Sequence, residues 1–206
     1  MTKLEAVQEV YLLAGLPGRP SVLDTNGNSL VAQAEFWLDR VFTRMQTERW
    51  RYNTRVNVTL TADGSGNLNV PTGTTTIDTA RENASDDLVQ LGNRLYDREQ
   101  NTATFDAGTT KKVEYTLNYA LECAPLPIRQ ATVDRAAFEL ATYANPQPYL
   151  LVTLKKKAED SYTLARRWDA EMADHNVFDT ADAAGIIGRD EDPIFLPINR
   201  PRQWSR

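Results

Sequence analysis

Glu48-Arg49-Trp50-Arg51-Tyr52-Asn53 is the stretch on which the reading of this chain turns, because one hydrophobic period stops there and another begins. Upstream, Leu30, Val31, Ala34, Leu38, Val41, Phe42 and Met45 recur at helical spacing. Downstream, Val56, Val58 and Leu60 alternate with Asn57, Thr59 and Thr61, the period of a strand with one buried face. A helix is therefore expected to run straight into a sheet. Trp50 and Tyr52 sit at the changeover, where each buries a large ring while its N–H or O–H tip seeks a partner. They are the expected helix-to-sheet junction, a reading compatible with both being plain core aromatics.

Working upstream, the second helix is capped by Asn28 or Ser29 and is read as running to about Trp50. Before it, Thr2 and Glu5 fit a capping box, Leu4, Val7, Tyr11 and Ala14 mark one face, and Gly15 and Pro17 end a first helix near Ala14. Downstream, residues 53–121 are rich in Thr, Asn, Gly and Val with turn signals at short intervals, which predicts an antiparallel β domain. Within it, 62–67 reads as a hairpin connection joining the 56–60 strand to a strand at 68–70. A second hairpin turns at Gly92-Asn93, and further strands are expected at 103–105 and 112–117, where Val113, Tyr115 and Leu117 face one way. Sandwich and curled sheet both remain open. After Pro127 the helical period returns: Val133, Ala136, Ala137, Leu140, Ala141 and Ala144 form a narrow face of small residues. Asn145-Pro146-Gln147-Pro148 breaks it, and a long helix follows to about Ala173 with Leu151, Leu154, Ala158, Ala165, Trp168 and Met172 on one side.

The expected fold class is α+β. Residues 1–52 and 122–175 form a bundle of about four helices, 53–121 an inserted antiparallel β domain, and 176–206 an extended C-terminal tail. That tail carries Pro193, Pro197 and Pro201, which block helix growth, yet it is rich in apolar residues that disordered segments usually lack. It is expected to gain order only on another surface. Ile194, Phe195, Leu196, Ile198 and Trp204 are the partner-binding candidates, with Arg200 and Arg202 at the rim.

Composition narrows the function classes. The chain has 206 residues, a net charge of −5 and 41% hydrophobic residues, an ordinary globular balance. A negative balance argues against binding nucleic acid by neutralising phosphates, although a smooth, repulsive contact with DNA stays open. No signal-peptide core or membrane-length apolar run is present, so the chain is expected to be used without crossing a membrane by itself. The single cysteine, Cys123, rules out an internal disulfide and is expected to pack in the core. His175 is the only histidine, too little for a Ser-His-Asp or Cys-His system, and no HExxH, GxGxxG or P-loop pattern occurs. No catalytic residue, cofactor or metal site is expected. Carboxylates are the remaining catalytic possibility. Asp86, Asp87, Asp97, Glu99 and Asp106 lie at strand ends and turns, where a glycosidase-type pair would fit but turn chemistry accounts for them more simply. Lys155-Lys156-Lys157 reads as a solvated helix face, or else as a strip facing acids of a neighbouring subunit.

In this order of elements, Trp50-Arg51-Tyr52-Asn53 followed by the 56–60 strand, Arg94-Leu95-Tyr96-Asp97-Arg98 leading to Phe105-Asp106-Ala107-Gly108, and Arg166-Arg167-Trp168 with Glu171-Met172 resemble the tail tubular protein A family of short-tailed phages. The likeness covers most of residues 1 to about 180. It implies a non-enzymatic virion protein, assembled in the host cytoplasm, that forms a dodecameric ring between the portal and the tail nozzle. It also implies that genomic DNA passes through the ring without sequence-specific binding. A carboxylate-dependent polysaccharide hydrolase of a phage tail is the alternative.

Overall fold

The computed structural model describes residues 1–18, 20–23, 29–79 and 87–172. It divides into two compact units, Met1–Arg166 and Arg167–Arg206. The first holds α1 (Lys3–Leu13), α2 (Leu30–Gln46), β1 (Thr54–Thr61), β2 (Thr74–Thr79), β3 (Leu88–Leu91), β4 (Arg94–Asp97), β5 (Thr110–Leu117), α3 (Leu126–Ala144) and most of α4 (Pro148–Glu171). Of the second, the described residues are the last turns of α4. The fold is thus mixed α+β, with about four helices and a small antiparallel insertion among the described residues.

The first two helices start where the sequence supplies a side-chain acceptor for orphan N–H groups. Thr2 Oγ1 accepts from the Glu5 backbone at 3.3 Å while Glu5 Oε2 accepts from the Thr2 backbone at 2.7 Å. Ser29, not Asn28, caps α2 through the Ala32 N–H at 3.2 Å; Asn28 lies outside the described residues. Gly15, at φ 70°, ends α1 in the left-handed conformation that costs glycine least. Pro125 occupies the cap of α3 and Pro127 its second position, where a missing N–H costs no hydrogen bond. The middle of the helical layer is α3, which packs on both α1 and α2. Its buried face of Ile128, Ala131, Val133, Ala136, Ala137, Leu140 and Ala141 is mostly small, so helix axes approach closely. Lys3 ties α1 to α2, its Nζ 2.7 Å from Glu35 and 2.8 Å from Asp39. Burial pulls this ammonium's pKa down, but the two carboxylates outweigh it and the net displacement is upward.

The β insertion differs from its sequence reading in three places. β1 pairs with β5, not with 68–70, and β5 also takes β2 on its other side, giving the order β1-β5-β2. Residues 68–70 instead run beside β4 through the Asn69–Arg94 bridge. Asp63 is the reason: its Oδ1 accepts from the Ser65 and Asn67 backbones at 2.9 Å and its Oδ2 from Asn69 Nδ2 at 3.0 Å. These bonds, that from the Asn67 backbone foremost, hold the Asp63 carboxyl below the usual range and wind the chain away from β1. Residues 74–79, for which no strand was expected, form β2, whose only large apolar residue is Ile77. Residues 103–105 form no strand, and Phe105 instead packs on the β core. That core gathers Ala62, Leu68, Leu88, Leu95 and Val113, with Ile77, Phe105 and Tyr115 against it, and so joins the three-stranded sheet to the β3–β4 hairpin. Val113 and Tyr115 share this face; Leu117 is not among its members, and Thr116 is buried on the opposite one.

Candidate functional site

The helix-to-sheet junction is built from α2's last turn. The helix stops at Gln46, four residues earlier than the sequence reading, because the carbonyls it leaves free are taken by side chains further along the chain. Trp50 Nε1 donates to the Met45 carbonyl at 2.6 Å, and Asn53 Nδ2 donates to the Gln46 carbonyl at 2.9 Å and to that of Leu117 at 3.2 Å. The Gln46 amide pairs with the main chain of Tyr119 in both directions, accepting at 2.6 Å and donating at 3.1 Å. Gln46 and Asn53 are buried polar residues whose partners lie at the end of β5, which fastens sheet to helix.

Arg49 completes the fastening at a conformational cost. Its φ is 57°, a left-handed setting that costs an L residue roughly 1–2 kcal/mol. Its guanidinium reaches Asp78 on β2 at 3.1 Å and Glu114 on β5 at 3.9 Å, and those two are register partners on one sheet face. On the same face Thr54, Thr116 and Thr76 stand in one row across the three strands. The other side of the junction meets α4. Trp50, fully buried, has the Arg166 guanidinium 4.2 Å from its ring centre and Tyr162 edge-on at 6.1 Å. Glu48 Oε2 accepts from Arg166 at 2.6 Å and from the Tyr162 hydroxyl at 2.7 Å. Tyr52 is half-buried beside Tyr119, and its hydroxyl meets no partner among the described residues, contrary to the expectation that both aromatic tips would be satisfied. Burial, with Tyr119 adding to it, pushes the Tyr52 phenol well above its ordinary range.

Next to the junction, a groove of about 560 Å³ opens between α2, α3 and α4. Val41, Met45, Ala131 and Ala158 give it an apolar floor, and Trp37, Arg40 and Arg44 line its α2 side. Arg135 pairs with Glu139 at 2.8 Å on the α3 side. This groove left no local mark in the sequence. Its walls belong to three helices, and the heptad-like spacing of Trp37, Arg40 and Arg44 was the one available signal.

The remaining sequence candidates fall as follows. Ile194, Phe195, Leu196, Ile198, Arg200, Arg202 and Trp204 lie outside the described residues, as do Asp86 and His175. Asp87 pairs with Arg98 at 3.5 Å, and Asp97 is buried, its Oδ1 accepting from the Glu99 and Gln100 backbones at 2.9 Å. Both carboxylates are thus engaged in turn and ion-pair chemistry. Cys123 is exposed on a short 3-10 turn, not packed, because Leu121 and Ala124 take the inward positions there. Lys157 leaves the solvated strip: its Nζ lies 3.0 Å from Asp134 on α3, a carboxylate only 1% exposed. Leu151 and Trp168 are half-buried and Met172 is exposed, so α4's buried face is the narrower set Leu154, Ala158, Ser161 and Ala165. Among the described residues no group of three or more His, Cys, Asp or Glu is placed to hold a metal ion, and no helix is long and apolar enough to cross a membrane.

A family model described as tail tubular protein matches residues 4–175, from α1 through the described end of α4. No curated protein matches the chain.

Proposed function

The chain belongs to the tail tubular protein family, whose members are structural phage proteins and not enzymes, and from that premise we propose that it is a ring-forming adaptor joining the portal to the tail nozzle. In this reading, residues 1–52 and 122–175 make the helical layer that meets neighbouring copies and the portal, 53–121 is the β insertion, and 176–206 is a tail that binds a partner. Twelve copies around the ring line the channel through which DNA leaves. A surface of net negative charge suits that duty, since phosphates slide past carboxylates without being held. Assembly takes place in the host cytoplasm and the finished protein sits in the virion at the portal vertex.

The observation that carries this proposal is the extent of the family match, which spans the helical layer and the β insertion together. The fastening of the two through Gln46, Asn53 and Trp50 supports it, because a ring under the pressure of packaged DNA needs subunits whose parts do not shear. For the tail, Ile194, Phe195, Leu196, Ile198 and Trp204 would each contribute about 1.5–3 kcal/mol on burial, so several must dock together to offset the ordering of the backbone. Truncation after Asp179 tests this: the melting curve should stay nearly unchanged while binding to purified portal weakens at least tenfold. Equal portal binding by both forms would remove the tail from the interface, and no portal binding by the full chain would overturn the adaptor role.

A further inference from the structure

Two faces of the helical layer carry side chains that the fold leaves unused. On the α2 side of the groove, Trp37, Arg40 and Arg44 follow one another at helical steps of three and four and so form one stripe. Arg40 and Arg44 are exposed, and neither pairs with a carboxylate among the described residues; Arg40 rests instead on the Phe36 and Trp37 rings, at 5.9 and 5.4 Å. The Trp37 Nε1 is buried with no acceptor among those residues, and Phe36 is 51% exposed. The acids of the groove do not fill this need, since Glu139 is held by Arg135, Glu48 by Arg166 and Glu159 by Lys155. The stripe is a set of donors on an apolar bed, and what it lacks is an acceptor.

The second face is the outer side of α4. Tyr149, Val152, Lys156, Asp160 and Leu164 recur at steps of three and four, opposite the buried Leu154, Ala158, Ser161 and Ala165. Tyr149 is 86%, Val152 71% and Leu164 62% exposed, a large apolar share for a helix face turned to water. In their midst stands Asp160, exposed and without a cation among the described residues. An apolar helical stripe centred on a free carboxylate is the complement of an apolar stripe bearing two free guanidiniums.

We propose that these two faces bind each other between copies: the α2 stripe of one subunit receives the outer face of α4 of the next, with Arg40 and Arg44 on the carboxylate of Asp160 of the partner subunit. This rests on the reading of the chain as a ring subunit and assigns the surfaces that would close the ring. Because the faces differ, the copy that uses its α2 stripe keeps its α4 face for a further neighbour and its partner keeps its α2 stripe, which is the head-to-tail geometry a closed ring requires. A nucleic acid on the α2 stripe would leave the α4 face unexplained, whereas a second copy accounts for both.

Charge reversal in the full-length chain tests the assignment, read by native mass spectrometry and sedimentation velocity with and without portal protein. Arg40→Glu/Arg44→Glu and Asp160→Arg should each weaken self-association at least tenfold while leaving the melting curve in place. An equimolar mixture of the two should assemble again, because each defective face then meets its complement. Should the double arginine variant fold poorly, Val152→Glu/Leu164→Glu on the outer face of α4 carries the same test. Assembly of the wild type together with undiminished assembly of both charge variants would overturn the interface and leave the ring standing. A wild type that stays monomeric even with portal would overturn the ring reading and the interface with it.

Discussion

Trp50 is held from three directions, by the Met45 carbonyl on its N–H, the Arg166 guanidinium over its face and the Tyr162 ring at its edge. Trp50→Ala removes all three and opens a cavity that the flanking α2 and α4 cannot close, so it should cost about 3–5 kcal/mol in denaturant melts. A loss below about 1 kcal/mol would show that the junction does not organise the fold. Tyr52 is the opposite case. Its hydroxyl is buried without a partner among the described residues, so Tyr52→Phe should leave stability unchanged or raise it by about 1 kcal/mol. The same residue sets an alkaline limb. Its folded pKa lies above its unfolded value, so the folded state keeps the proton longer and this contribution is intact below about pH 10 and lost as pH rises beyond it. Melting temperature against pH should therefore fall less steeply above pH 10 in Tyr52→Phe than in the wild type; identical slopes would contradict the buried phenol. Both aromatics were legible in the sequence because each is a large ring at a change of period. The roles of Gln46 and Asn53 were not, since their partners at Leu117 and Tyr119 are more than sixty positions away and no local pattern registers a contact at that range.

Elements read well from the sequence where a period repeated over several turns and poorly where one polar side chain decided the path. The helices emerged from apolar spacing and caps. β5 emerged because Val113 and Tyr115 alternate cleanly, and the β3–β4 hairpin because Gly92-Asn93 marks its turn. β2 escaped notice since threonines give no apolar rhythm, and the pairing of β1 was misassigned because Asp63 redirects the chain after it. The α3–α4 contact shows the same blindness at long range. Lys157, read as part of a solvated strip, is the cation for the buried Asp134 carboxylate. Lys157→Met should cost roughly 1–3 kcal/mol, because it strands that charge away from water, and Asp134→Asn in the same chain should recover most of the loss. Additive effects in the double-mutant cycle would mean that the two groups do not communicate.

At the scale of the whole molecule, the α+β class and the placing of a β insertion between helices followed from the order of hydrophobic periods, and the family was legible from motifs at Trp50, Arg94 and Arg166. What an isolated sequence does not encode visibly is the use of a surface, since exposed residues carry no period. The groove beside α2 came into view only with three helices in place, and the tail residues from Ile194 to Trp204 were chosen on composition alone. As proposed, this structural tail protein forms the ring at the joint of portal and tail. Electron cryo-microscopy of virions from the encoding phage, with this chain labelled, is the decisive measurement: label should be confined to a ring between portal and nozzle, and virions lacking the chain, or label at the capsid surface or the distal tail, would overturn the adaptor role.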